Sequence, residues 1–388
     1  MKITRPPNSR LEIGFLAPAV LVLFFAADMA LRLLPLERLT FRPWEAVALR
    51  HEPPAPFRPN QHFEEPRVFG DLAALGNMPQ RREYHFQSFS TDGLGFRNPP
   101  NFLQSNCPSA LLVGSSFSIG ASVTDEQTLS VRLSQLSGRG IYNAGGLEPA
   151  DARSIRALAR RLKMNGGWVI YEFLERNHIP RVRPVREHRI TAGWNNMLAL
   201  PAIDGAKARW QSIKLSRLKI LAQRVYKALQ NDWALPNYSP FVAAKPLRNG
   251  DAMLFLRDHL KIKAERDVST AATYFSWLAD ELGKDNLSLL VALVPEKITV
   301  YQPLLVEGAA TGATEHGYLD QIEEVLRAQG IPVVNLAPIF RREAQSKFQR
   351  GEYIYHLDDT HWNARGISIA ANEILAVWNR RIAAAQAR

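Results

Sequence analysis

From Ala110 onward the chain alternates between short apolar runs and amphipathic stretches, and this alternation restricts its fold more than any other feature. ALLVGSSFS (Ala110–Ser118) is an apolar run that breaks into Gly-Ser-Ser. IYNAGG (Ile141–Gly146) and WVIYEF (Trp168–Phe173) are a second and a third such run. Helical spacing separates them, at Glu126–Leu136 and Ala150–Met164. Strand, helix and strand in succession predict a parallel sheet with helices on both faces. LSLLVALVP (Leu287–Pro295) and PVVNLA (Pro332–Ala337) supply a fourth and a fifth strand. Further helices are predicted near Ser269–Leu282, at Leu319–Gln329 and from Ala364 to about Ala383. The expected class is α/β, a three-layer sandwich.

In open parallel sheets ligands bind outside the carboxyl ends of the strands. Four polar motifs fall at such ends or in the loops after them. They are Gly114-Ser115-Ser116, Asn143-Ala144-Gly145-Gly146, Glu175-Arg176-Asn177 and Asp358-Asp359-Thr360-His361. A serine hydroxyl is a poor nucleophile until a base takes its proton. Histidine suits that role, because its pKa lies near working pH. The base in turn needs an acceptor that fixes its tautomer. Ser116 is the candidate nucleophile and His361 the candidate base, with Asp359 or Asp358 orienting the ring. The developing oxyanion needs donors. Candidates are the amides of Ser116 and of Gly145 or Gly146, and the side chain of Asn177. Trp362 beside the histidine is a candidate sugar platform. Lys297 and Tyr301 are weaker candidates for substrate contact.

Residues 13–27 read IGFLAPAVLVLFFAA and are followed by DMALRLLPL. Lys2, Arg5 and Arg10 precede the run. About 20 apolar residues span a bilayer, and basic residues stay on the cytoplasmic side. The expectation is an uncleaved transmembrane anchor at 13–36, with a cytoplasmic 1–12 and the rest of the chain outside. The alternative is a cleaved signal peptide. Residues 37–85 read as an extended linker, and 86–388 as the catalytic domain with a basic helical insert at about 179–250.

Net charge is +11. Between Ile179 and Gln230 stand 11 Lys and Arg against Glu187 and Asp204, so this segment supplies most of the excess. It suits an anionic leaflet or an acidic polysaccharide. No nucleic-acid-binding motif accompanies it. The single cysteine, Cys107, excludes an internal disulfide and paired-cysteine zinc sites. Neither a metal nor a cofactor is expected.

The four motifs in this order resemble the SGNH hydrolase superfamily. They are most similar to its subfamily of alginate-type polysaccharide O-acetyltransferases. DTHWN (Asp359–Asn363), PEKITVY (Pro295–Tyr301) and TDGLGFR (Thr91–Arg97) carry the closer likeness. The resemblance covers about 85–380 and implies an SGNH-like sandwich. It makes Ser116 the nucleophile, His361 the base and Asp359 the orienting acid. It also places Gly145 or Gly146 and Asn177 in the oxyanion hole. The chain departs from the pattern twice. Ser115 stands where the superfamily's Gly-Asp-Ser has aspartate, and Glu175-Arg176-Asn177 replaces an intact Gly-x-Asn-Asp, so Arg176 is an alternative to Asn177.

The implied activity is O-acetylation of an exported polysaccharide by an inner-membrane protein whose catalytic domain faces the periplasm. The implied partner is a polytopic membrane acyltransferase that supplies the acetyl group. Two rivals use the same residues differently. One is a periplasmic carbohydrate esterase or deacetylase. The other is a catalytically silent carbohydrate-binding subunit of an export machine.

Overall fold

A computed structural model of the chain describes residues 9–34, 54–76, 78–105, 107–177, 179, 217–232, 241–260, 268–307 and 317–386. The chain divides into two units, 1–49 with 185–234 and 50–184 with 235–388. In the smaller unit, α1 (Ser9–Leu31) is a helix of 23 residues with Pro18 inside it. Val20, Leu21, Val22, Leu23 and Phe25 on it are exposed. Among the described residues no helix is long and apolar enough to cross a membrane. Asp28 is buried and accepts from the Arg32 guanidinium at 3.2 Å and from the Leu218 amide at 3.1 Å. Most of the basic insert, at 180–216 and 233–240, lies outside the described residues.

In the larger unit the strands are β1 (His62–Val68), β2 (His85–Ser90), β3 (Ala110–Gly114), β4 (Ile141–Gly145), β5 (Gly167–Leu174), β6 (Val242–Pro246), β7 (Ala252–Leu256), β8 (Leu287–Val294) and β9 (Val333–Asn335). The helices of the chain after α1 are α2 (Asp71–Leu75), α3 (Phe102–Ser105), α4 (Ser116–Ile119), α5 (Leu129–Ser137), α6 (Ala152–Arg161) and α7 (Arg217–Asp232, in the smaller unit). They continue as α8 (Val268–Gly283), α9 (Lys297–Tyr301), α10 (Tyr318–Ala328), α11 (Ala337–Lys347) and α12 (Ala364–Gln386).

Five strands form one sheet in the order β4-β3-β5-β8-β9, and every pairing is parallel. These are the five runs expected from the sequence. Side chains alternate between the faces of a strand. Ala110 and Leu112 therefore join one core, with Leu133 of α5, Phe340 of α11 and Ile374 of α12. Leu111 and Val113 join the other, with Ile155 of α6, Phe275 of α8 and Ile322 of α10. The result is a three-layer α/β/α sandwich, as expected. The chain steps from β3 to the edge strand β4, then returns past β3 to β5. The carboxyl end of β3 is thus a topological switch point, the usual place for a ligand crevice in such sheets.

One difference from the sequence reading concerns 37–85. Residues 35–53 lie outside the described residues. From 54 the stretch is not merely an extended linker, for β1 pairs with β2 antiparallel and α2 follows. Its lack of periodicity has a physical cause: β1 alternates only weakly, with most of its positions partly exposed.

Candidate active site

Ser116 opens α4 immediately after β3. Ser115 caps that helix in extended conformation, its hydroxyl accepting from the Phe117 amide at 3.3 Å. Gly120, in left-handed conformation, ends the helix one turn later. The turn is braced from beneath by Glu172 of β5, which is buried in the sheet. Its carboxylate accepts from the Ser115 amide at 2.6 Å, the Ser115 hydroxyl at 2.9 Å and the Ser118 hydroxyl at 3.0 Å. Gly114 makes room for it, since a Cβ there would stand 2.4 Å from Glu172 Oε2. Burial pushes the Glu172 carboxyl up, against the hydrogen bonds from Ser115 and Ser118 and the charge of Arg176.

His361 comes from the loop between α11 and α12. Its Nε2 lies 2.7 Å from Ser116 Oγ. Its Nδ1 lies 2.6 Å from Asp359 Oδ1. With Nδ1–H donating to the carboxylate, Nε2 is left to accept from the serine hydroxyl. Asp359 Oδ2 accepts from the Asp71 amide at 2.9 Å and the Ser122 hydroxyl at 2.7 Å. Burial works to raise the Asp359 carboxyl. The charge and hydrogen bond of His361, with His356 and Ser122, outweigh burial and hold it well below the usual range. Of the two aspartates, Asp359 meets the ring. Asp358 instead accepts from the amides of Gly70 at 2.7 Å and Glu83 at 2.9 Å through Oδ2. Its carbonyl takes the amides of Leu72 and Ala73, each at 3.1 Å.

Several sequence candidates are placed elsewhere. The amides of Gly145 and Gly146 are engaged, with Asn143 Oδ1 and the Gly114 carbonyl as acceptors, both at 2.9 Å. Neither is a free oxyanion donor: Asn143 turns back on Gly145 at the end of its own strand, and Gly146 is tied to the end of β3. Trp362 is wholly buried between Phe117 and Phe340, so it is core rather than a sugar platform. Tyr301 is likewise buried, its hydroxyl accepting from the Ile354 amide at 3.0 Å. Lys297 is buried and donates to the carbonyls of Leu254, His356, Leu357 and Asp359. It staples the His361 loop instead of reaching outward. Arg176 pairs with Glu296 at 2.8 Å and lies over the Phe117 ring. Asn177 sits half-buried in the turn after β5, its amide donating to Leu174.

Glu172, Ser122 and Arg97 were not foreseen. Arg97 is buried and donates to the carbonyls of Gly120, Ser88 and Val123 and to Asp125. TDGLGFR is therefore scaffold for the end of the nucleophile helix. One signal was readable for Glu172: it is the lone charge in the apolar run WVIYEF.

A shallow crevice with room for little more than a water, lined by Phe255, His259, Glu296 and Thr360 among others, adjoins the histidine loop. Among the described residues, Asp71, Asp359 and His361 bring possible metal-ligand atoms within 4.8 Å of one another. The contacts of Asp359 and His361 are those of the Ser116 relay, which accounts for that grouping.

Residues 249–388 match the family model of the SGNH hydrolase-like domain, acetyltransferase AlgX. No curated protein matches the chain. The match takes in Asp359 and His361, while Ser116 precedes it. The parallel sheet with its helices is the fold such a domain requires, and the acetyltransferase assignment of the family supports an enzyme. Over residues 249–388, then, the chain is similar to the SGNH hydrolase-like domain of acetyltransferase AlgX.

Proposed function

We propose that the protein is a membrane-anchored O-acetyltransferase acting outside the cytoplasm on an exported polysaccharide. The observation that carries this reading is the unbroken relay Ser116 Oγ, His361 Nε2, His361 Nδ1, Asp359 Oδ1, with links of 2.7 and 2.6 Å. Both lie within the reach required of a nucleophile and its base. A silent subunit has no need of that geometry.

Ser116 Oγ attacks the acetyl carbonyl as His361 Nε2 takes its proton. The tetrahedral oxyanion forms beside the Ser116 amide and the Asn177 side chain, the donors that remain once Gly145 and Gly146 are set aside. Collapse breaks the bond to the leaving group, which receives the proton from His361. A sugar hydroxyl then attacks the acetyl-enzyme, again giving its proton to His361, and Ser116 is regenerated. Asp359 holds the ring and stabilises its cation at each stage.

The anchor is supported by the apolar run 13–27 and by the exposed Val20–Leu23 and Phe25 on α1. The donor is proposed to be a polytopic membrane acyltransferase, and the basic segment 179–230 to meet the anionic acceptor or leaflet.

The test is mass spectrometry of the full-length chain in detergent after exposure to an activated acetyl ester, with and without oligosaccharide. Acetyl trapped on Ser116 and released onto sugar faster than into water supports the transferase. Release into water alone makes the protein an esterase. Equal labelling of wild type and Ser116→Ala overturns the nucleophile and leaves the binding subunit.

A further inference from the structure

Beside the triad lies a second group of ligating side chains that the proposed chemistry does not use. Glu83 precedes β2, while His356 and Asp358 belong to the loop that carries His361. Each of the three offers one ligand atom within 4.8 Å of the others. Glu83 and Asp358 stand 275 residues apart in sequence, so no spacing announced the group.

Its hydrogen bonding is incomplete. Asp358 is fully buried; Oδ2 takes two amides, but Oδ1 is buried with no partner. The Nε2 atom of His356 is also buried without a partner. Next to it stands His85, whose ring stacks on His356 at 5.1 Å. His85 Nδ1 lies 3.1 Å from the Glu83 carbonyl, which can only accept, so Nδ1 carries the proton and Nε2 the lone pair. That Nε2 is buried and unpartnered as well. A backbone carbonyl holding one imidazole nitrogen so that the other presents its lone pair is the support metal-ligating histidines receive. Among the described residues no lysine or arginine lies within ion-pair distance of Glu83 or Asp358; the buried Lys297 ammonium, whose charge acts on both, is bonded to four carbonyls instead. Buried lone pairs are costly when nothing binds them, and two carboxylates side by side repel. Glu83 Oε2 already takes the Leu357 amide at 2.9 Å, and one dication would answer the lone pairs left over, those of Asp358 Oδ1 and His356 Nε2.

We propose that Glu83, His356 and Asp358, with His85 beside them, bind a divalent first-row transition ion such as zinc. Mixed imidazole and carboxylate ligands suit that class better than magnesium or calcium, which prefer oxygen alone. Zinc bonds nitrogen and carboxylate oxygen at about 2.0–2.2 Å. In a tetrahedral site such bonds set ligand atoms about 3.4 Å apart, so atoms as much as 4.8 Å apart close by up to about 1.4 Å on binding the ion. The ion would tie the segment before β2 to the His361 loop, making it a positioning element. This departs from the expectation of a metal-free protein, and it does not rest on the acyl-transfer reading.

The test needs neither substrate nor turnover. The full-length chain is stripped with a chelator and titrated with zinc against a chromophoric competitor, and separately with cobalt(II). The expected result is one tightly bound equivalent per chain. His356→Gln and Asp358→Asn each weaken it at least tenfold and alter the cobalt spectrum. No binding by wild type, or equal affinity and spectra in all three proteins, overturns the site. Should a variant lose the near-ultraviolet circular dichroism of the wild type, X-ray absorption at the zinc edge of the wild type decides. Imidazole scattering supports the site, and oxygen ligands alone overturn it.

Discussion

Glu172 Oε2 lies 2.6 Å from the amide nitrogen of Ser115, so a strand of the sheet holds the residue before the nucleophile. The same carboxylate takes the hydroxyls of Ser115 and Ser118. Glu172 thereby bonds the turn that an aspartate occupies in the resembled pattern. Replacing it with alanine leaves a buried amide and two hydroxyls without their acceptor. The expected cost is about 2–3 kcal/mol of stability. Acetylation of Ser116 should fall about 10–100-fold, because a small displacement of Oγ spoils its alignment. Glu172→Gln keeps an acceptor oxygen and should lose less of both. Urea melts and single-turnover acetylation check this. A Glu172→Ala variant with full rate would show that the turn stands without the brace.

The two neighbouring aspartates should separate cleanly by mutation. Asp359→Asn puts an amide against His361 Nδ1 and favours the wrong tautomer. The acetylation rate should fall about 10³–10⁴-fold with little change in melting. Asp358→Asn leaves the ring alone but weakens the acceptor of the Gly70 and Glu83 amides. It should cost about 1–2 kcal/mol of stability and much less rate. Rate and melting temperature measured on both variants decide. The reverse pattern would make Asp358 the orienting acid.

Much of the sheet could be read in the chain because parallel strands are apolar on both faces. ALLVG, IYNAG and LSLLVALV are near-continuous hydrophobic runs, and each became a strand. Ser116, His361 and Asp359 were legible because strand ends and a short DTH spacing restrict where chemistry sits. What stayed hidden depended on long-range contact. Nothing local reveals that Asn143 would consume the Gly145 amide, or that Lys297 would turn inward onto four carbonyls. Trp362 was misjudged because adjacency to a catalytic histidine says nothing of direction. The β1–β2 hairpin was missed because its exposed, charged β1 lacks a clean period.

Trp362 provides a direct check on that last distinction. It packs in T-shaped contact with Phe117 at 5.3 Å and against Phe340 at 6.1 Å. Truncation to alanine should cost about 3–5 kcal/mol through the cavity it leaves. Trp362→Phe should recover part of that, with the KM for an oligosaccharide acceptor unchanged. A KM that rises in the phenylalanine variant while stability holds would restore a sugar contact.

The Arg176–Glu296 pair should give the protein a specific sensitivity to acid. Glu296 is largely buried and is bonded by Arg176 at 2.8 Å and His259 at 3.2 Å. Burial works to raise its carboxyl, but the hydrogen bond and charge of His259 and the charge of Arg176 prevail and hold it below the ordinary 4.5. A carboxylate whose folded pKa is depressed contributes stability that is full above the unfolded value. That stability is lost as pH falls through the folded one. Arg176→Ala strands the buried charge with His259 alone. Breaking such a pair should cost about 2–3 kcal/mol near neutrality, somewhat less than for a fully enclosed one, since Arg176 keeps some exposure. The gap between variant and wild type should then narrow as pH drops below 4.5, because protonated Glu296 no longer needs its cation. Urea melts of both proteins across the acid range measure that gap. A gap that stays constant from neutral to acid pH would mean that Arg176 acts through packing on Phe117 and not through Glu296.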